Sequence, residues 1–225
     1  MHEFTIKQAS LSYRWACDAI LPALPLPGTP SFTGFIKRLQ AYKVAPADVA
    51  VDAPGNRLSD VALIVLLLGR EVTLRVTYTG FEIYIGKLFE EHIPRLPGIA
   101  EAALAALTDI DAAAKDGRIV FSYTAHIGSQ PQVADRILRQ YVSGGCEMPT
   151  LAPDAFAYRI RLENRPDVLQ MRIVVAKSLF FEEALFVDFG AEYRGLPSSA
   201  ETAGRIRQDY YEALTTLGMR LNTDR

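Results

Sequence analysis

Arg75, Tyr84, Arg159, Arg172 and Asp188 are the side chains best suited to recognition chemistry. An arginine fork donates to carboxylate or phosphate, a tyrosine hydroxyl donates or accepts, and a carboxylate can balance a guanidinium. Hairpin arithmetic places them. A loop over 164–167 pairs Glu163 with Val168, and continuing that ladder sets Arg159 directly across from Arg172. Like charges so opposed repel by about 0.2–1 kcal/mol. Bulk water, the nearby Asp188 or an anionic ligand can offset this. Earlier in the chain, a Gly69-Arg70 turn sets Ile64 beside Arg75 and Leu66 beside Thr73. A Thr79-Gly80 turn pairs Tyr78 with Phe81, Val76 with Ile83 and Arg75 with Tyr84. The expectation is a cleft between two related halves that carries all five residues. It would bind a small anionic molecule or a protein partner. A slip of one residue would turn every one of them to the other face.

Motifs for catalysis are missing from the sequence. There is no P-loop, no GxGxxG after a strand, no HExxH, no GxSxG and no Cys/His group at metal-ligand spacing. No cofactor is implied. His92 follows Glu90-Glu91 before Pro94 and reads as part of an exposed, solvated cluster. His126 ends a strand and is the one candidate base, alongside Tyr84 and a carboxylate. Cys146 follows Gly144-Gly145 at a helix end, where the negative end of the dipole disfavours a thiolate. Phe180-Phe181-Glu182-Glu183 reads as a hairpin loop tucked on the core, with a partner-contact tip as the alternative. The balance favours a non-enzymatic binding or interaction module over a small-molecule hydrolase or transferase.

Composition agrees with an ordinary globular chain of 225 residues, 49% hydrophobic and 22% charged. A net charge of −2 and a pI of about 6.0 set up no strong field toward nucleic acid or an anionic membrane. The longest apolar run, Val61 to Leu68, is far shorter than the roughly 20 residues of a spanning helix. His2, Glu3 and Lys7 come early, with no apolar segment behind them, so a signal peptide is not expected. Two cysteines without CxxC spacing point to free thiols in a reducing cytoplasm.

The elements that must position these side chains repeat in order. Phe4 to Trp15 reads as a strand. The prolines of Leu21 to Pro30 make an extended linker, and Ser31 caps a helix to about Tyr42. A three-strand meander covers 61–88. A helix follows, with Pro97 in its first turn and Gly117 just past its end. Then come a strand from Arg118 to Ile127 and a helix opened by Ser129 and Pro131. Strands at about Phe156 to Glu163, Val168 to Lys177 and Leu185 to Glu192 follow. A closing helix from Ser198 to Gly218 has Glu201 in the box position. The expected class is α+β: two similar halves, 1–117 and 118–225, each strand–helix–three-stranded antiparallel meander–helix. They would form a pseudo-duplicated sheet with helices on one face, in one compact unit.

The early strand around Phe4 to Arg14, the strand Arg118 to Ile127 after an alanine-rich helix, and Leu185-Phe186-Val187-Asp188 before a long closing helix form a pattern. It resembles a sporadically distributed family of uncharacterised bacterial proteins of similar length. The likeness covers most of the chain, except the Pro-rich 21–30 insert, and carries no activity with it. A broader similarity is to duplicated strand–helix–strand modules of the gyrase-inhibitor type, which implies ligand binding between pseudo-symmetric halves.

Overall fold

The computed structural model describes residues 2–55, 57–130, 132–142, 155–160, 165–194 and 200–221. Its centre is a long strand, β1 (His2–Cys17), with Leu11, Tyr13 and Trp15 buried and Ser10, Ser12 and Arg14 on the opposite side. This period-2 alternation is what a sheet with one packed face demands. Helix α1 (Pro30–Leu39) starts with Pro30 in its first turn, behind Thr29 rather than at Ser31. A short edge strand, β2 (Val49–Asp52), precedes the meander β3 (Ala62–Leu67), β4 (Val72–Thr77) and β5 (Gly80–Ile85). Helix α2 (Leu96–Ile110) leads to β6 (Gly117–Gly128), and α3 (Val133–Val142) follows. The second set of strands is β7 (Ala155–Ile160), β8 (Val168–Lys177) and β9 (Ala184–Arg194). Helix α4 (Ala200–Thr216) and a three-residue strand, β10 (Met219–Leu221), end the described chain. The expected Gly144-Gly145 stop, the Cys146 position, Pro131, the Ser198 cap and the Glu163 pairing lie outside the described residues.

The strands form one antiparallel path, β2-β3-β4-β5-β1-β6-β9-β8-β7, with β10 pairing in parallel with the start of β1. Outward from the β1/β6 ladder, the order on one side is β5-β4-β3 and on the other β9-β8-β7. The class is therefore α+β, with a large antiparallel sheet and, among the described residues, four α-helices. A single hydrophobic cluster joins alternate residues of the strands to Phe35 and Leu39 of α1, Ile99 and Leu107 of α2, Ile137 of α3 and Leu214 of α4.

Register decides which side chains share a face. The β3–β4 ladder puts Ile64 opposite Arg75 and Leu66 opposite Thr73, as the sequence indicates. The connecting loop is longer than two residues, however, spanning Leu68 to Glu71 with positive φ at Leu68, Gly69 and Arg70. The Leu68 amide leaves the ladder and donates to the Tyr42 carbonyl at 2.8 Å. In the next hairpin the two-residue turn is Tyr78-Thr79, so Val76 faces Phe81 and Arg75 faces Glu82, with Tyr84 opposite Thr73. The pairing has moved by two residues from the expected one. Two is the sheet's period, so every side chain keeps its face.

Gly80 and Gly117 have roles other than turn and helix stop. A Cβ on Gly80 would lie 2.0 Å from the Trp15 carbonyl oxygen, and one on Gly117 would lie 2.4 Å from that of Ala16. Both neighbours of β1 thus approach the end of that strand with a glycine, and close backbone approach selects the residue type. Trp15 is anchored there by donating its indole N–H to the Ala114 carbonyl at 3.0 Å.

Candidate functional site

All five sequence-derived residues stand on the sheet face opposite the buried rows. Arg75 is on β4, Tyr84 on β5, Asp188 on β9, Arg172 on β8 and Arg159 on β7. The structure does not gather them. Five strand-to-strand steps separate β4 from β8, which at about 4.8 Å each puts Arg75 about 24 Å from Arg172. The first strands of the two expected halves, β1 and β6, pair directly with each other, from Thr5↔Gly128 to Cys17↔Gly117. Where a cleft was expected, the described residues present a continuous, polar sheet surface.

Its middle carries hydroxyls. Ser10 hydrogen-bonds Thr124 across the β1/β6 ladder. On either side, a serine donates diagonally to a carboxylate: Ser12 Oγ to Glu82 Oε1 at 2.6 Å, and Ser122 Oγ to Asp188 Oδ1 at 3.4 Å. Beyond Asp188 the Arg159–Arg172 opposition is resolved. The two residues do pair directly. Gly190, opposite Arg172 on β9, has no side chain, and a Cβ there would lie 2.9 Å from Arg172 Nε. The Arg172 side chain therefore runs across Gly190, away from Arg159, and reaches Asp188 Oδ2 at 3.2 Å. One row along, Glu192 accepts from Arg118 at 3.0 Å and from Gln170 at 3.1 Å. On this half Arg172 and Arg118 each reach a carboxylate, while among the described residues Arg159 and Arg194 form no ion pair, and the two ion pairs are exposed enough to contribute about 0–1 kcal/mol each.

The other half differs. A depression of about 140 Å³ is lined by Arg14, Arg75, Thr77, Thr79, Phe81 and Glu82. Arg75, Glu82 and Arg14 occupy one row on β4, β5 and β1. Glu82 lies between the two arginines, yet its carboxylate turns to Ser12. Among the described residues, neither Arg14 nor Arg75 forms an ion pair with a carboxylate. Arg14 was missed in the sequence because its neighbourhood depends on pairing between β1 and β5, about 70 residues apart in the chain, which no turn specifies.

The candidate bases have structural duties. His92 is not in a solvated cluster: it is 1% exposed. The Phe89 amide donates to its Nδ1 at 3.2 Å, leaving Nε2–H for Glu71 Oε2 at 3.0 Å. The ring thereby ties the segment before α2 to the β3–β4 loop. His126 Nδ1 lies 2.9 Å from Ser178 Oγ, a nucleophile–base spacing. That oxygen, however, accepts from the Phe180 and Phe181 amides at 3.2 and 3.0 Å. With both lone pairs engaged, the hydroxyl is a loop cap rather than an attacking group. Burial lowers the His126 pKa below its ordinary value. Cys17 is free and half-buried, and burial raises its thiol pKa, which disfavours the thiolate. Among the described residues no group of three or more His, Cys, Asp or Glu is placed to hold a metal.

The Phe180-Phe181 loop is also not tucked away as a whole. Leu179 is 94% and Phe180 80% exposed, although the Phe180 ring, like that of the half-buried Phe181, lies 5.4 Å from the His126 ring. Among the described residues no helix is long and apolar enough to cross a membrane. No protein-family model matches the chain, and no curated protein matches it either.

Proposed function

We propose that this chain is a non-enzymatic binding or interaction module that works through the open face of its sheet. The Arg14–Arg75 depression accepts an anionic group of the ligand or partner. The carrying observation is that two arginines without an ion pair among the described residues line one depression. Arg172 and Arg118 have carboxylate partners, whereas Arg14 and Arg75 border a cavity with none. A guanidinium fork with free donors beside threonine hydroxyls suits a carboxylate or phosphate.

Two further features support the reading. The strand order is the same outward from β1 and from β6, and the Ser12–Glu82 and Ser122–Asp188 bonds occupy equivalent diagonals. This favours an internal duplication in which helices gather on one face and leave the other for binding, with one half specialised for an anion. The alternative, a small-molecule hydrolase or transferase on the same face, draws less support, because Ser178 and His126 are committed to the loop.

The test is an arginine side-chain NMR titration with inorganic phosphate and, separately, acetate. Saturable shifts at the Arg14 and Arg75 Nε–Hε resonances in the millimolar range, weakening with added salt, are expected. Arg14→Ala with Arg75→Ala should abolish them. Unsaturable shifts, or shifts equal to those of Arg118 and Arg172, would overturn the proposal.

A further inference from the structure

The β8–β9 hairpin contains a hydrogen-bonding arrangement that depends on one proton. A serine hydroxyl has one proton to give and two lone pairs to offer. Ser178 Oγ offers both lone pairs to the amides of Phe180 and Phe181, at 3.2 and 3.0 Å. Its own proton must then go to His126 Nδ1, 2.9 Å away. The ring is therefore neutral, with its proton on Nε2. The Ser178 amide also closes the base of the loop by donating to the Ala184 carbonyl at 2.9 Å. Above that base, Leu179 and Phe180 project into solvent, and Glu183 is held at a φ of 53°, in the left-handed region.

We infer that His126 is a pH-operated latch on this hairpin. While the ring accepts from Ser178, the Leu179–Phe180 tip is held in its displayed form; when Nδ1 takes a proton from solvent, the tip is released. A proton on Nδ1 converts the acceptor into a second donor aimed at an oxygen with no lone pair left. The repulsion swings the Ser178 hydroxyl off the ring, and an amide of Phe180 or Phe181 loses its acceptor with it. The three phenylalanine rings around the imidazole, Phe180, Phe181 and Phe186, lie at 5.2–5.4 Å between centroids, so the strain passes directly to the tip.

The charged groups around the ring leave the switch to this one site. On β1, Gln8 is the register partner and the Lys7 stem lies against Gly128. On β9, Phe186 is opposite, and Asp188, one diagonal step away, is held by Arg172 and Ser122. Lys177 at the end of β8 pairs with Asp135 of α3. Glu182 and Glu183 belong to the loop. Desolvation is the cause of the lowered pKa at His126. A depressed pKa means that the latch is fully closed above the ordinary histidine value and opens as pH falls through the lower folded one.

Amide hydrogen exchange measured by NMR, corrected for the intrinsic pH dependence, tests this in the intact protein. Protection at Phe180 and Phe181 should fall roughly tenfold as the His126 ring titrates, the effect of losing about one hydrogen bond. Amides in β8 should not change. His126→Asn places an acceptor near Nδ1 that does not titrate, and should keep protection at both ends of the range. Ser178→Ala should lack protection throughout. Unchanged wild-type protection across the ring's titration, or a wild-type pH dependence retained in His126→Asn, would overturn the inference.

Discussion

Replacing Asp209 with alanine should destabilise the fold by about 3 kcal/mol. Asp209 lies on α4 and is 4% exposed. Its Oδ2 accepts from the Tyr193 hydroxyl at 2.9 Å, and its Oδ1 from Arg165 Nη1 at 3.2 Å. Arg165 also donates to Asp167, so one guanidinium joins the β7–β8 connection to the closing helix. A hydrogen bond to a charged acceptor contributes about 1.5–3 kcal/mol when buried. Arg165 is itself about one-third exposed, although Asp209 is buried, so solvent screens that ion pair and it adds about 1 kcal/mol. Removing the carboxylate also strands the Tyr193 hydroxyl, on a residue that is fully buried. The assay is urea unfolding of the wild type, Asp209→Ala, Tyr193→Phe and the double variant. Tyr193→Phe should cost about 1–2 kcal/mol alone and almost nothing beside Asp209→Ala, a coupling of about 1.5 kcal/mol. For a chain of this size the Asp209→Ala loss corresponds to about 6–12 °C in Tm. Additivity within about 0.5 kcal/mol would refute a direct Tyr193–Asp209 bond.

Gly80→Ala should cost more than about 2 kcal/mol, because its Cβ would lie 2.0 Å from a backbone carbonyl and its φ is 134°; thermal unfolding reads this directly. Gly190→Ala should cost under about 1 kcal/mol, since the atom in the way is a movable arginine side chain, but it should displace Arg172 from Asp188. A double-mutant cycle with Asp188→Ala measures that displacement. The hydrogen bond from Arg165 holds the Asp167 carboxyl below its usual range. Its contribution should be complete above the ordinary aspartate pKa and fall away as pH drops through the folded value, a loss absent from the acid-unfolding profile of Asp167→Asn.

The legible parts of this fold were those governed by local rules. The β3–β4 and β7–β8 registers follow from counting outward from a short connection, and Arg159 does face Arg172. In the β4–β5 hairpin the glycine was mistaken for a turn residue. Its positive φ follows a turn made by Tyr78 and Thr79, and its lack of a side chain serves Trp15. The faces survived because the resulting shift was even. Strands β2 and β10, at four and three residues, are too short to leave a periodic signature. The buried state of His92 was illegible because its partner, Glu71, sits in a different loop.

The same distinction separates the two arginine sites. Arg159 and Arg172 attract notice in the sequence because one turn sets them opposite each other, and repulsion needs an explanation. The explanation is itself non-local: Gly190 makes room and Asp188 supplies the charge, both from β9. A conflict visible in a hairpin was thus already resolved by the next strand, which makes it a weak marker of a ligand site. Arg14 and Arg75 show no conflict in the sequence. Their conjunction appears only when β1 pairs with β5, and Glu82, the carboxylate that could neutralise them, is drawn to Ser12 on the same strand as Arg14. An unbalanced pair that persists although a carboxylate stands between its members is the stronger sign of an external anion. Restoring that carboxylate supplies a direct test. Ser12→Ala frees Glu82 to turn toward Arg14 or Arg75, and phosphate binding at the depression should weaken without either arginine being changed.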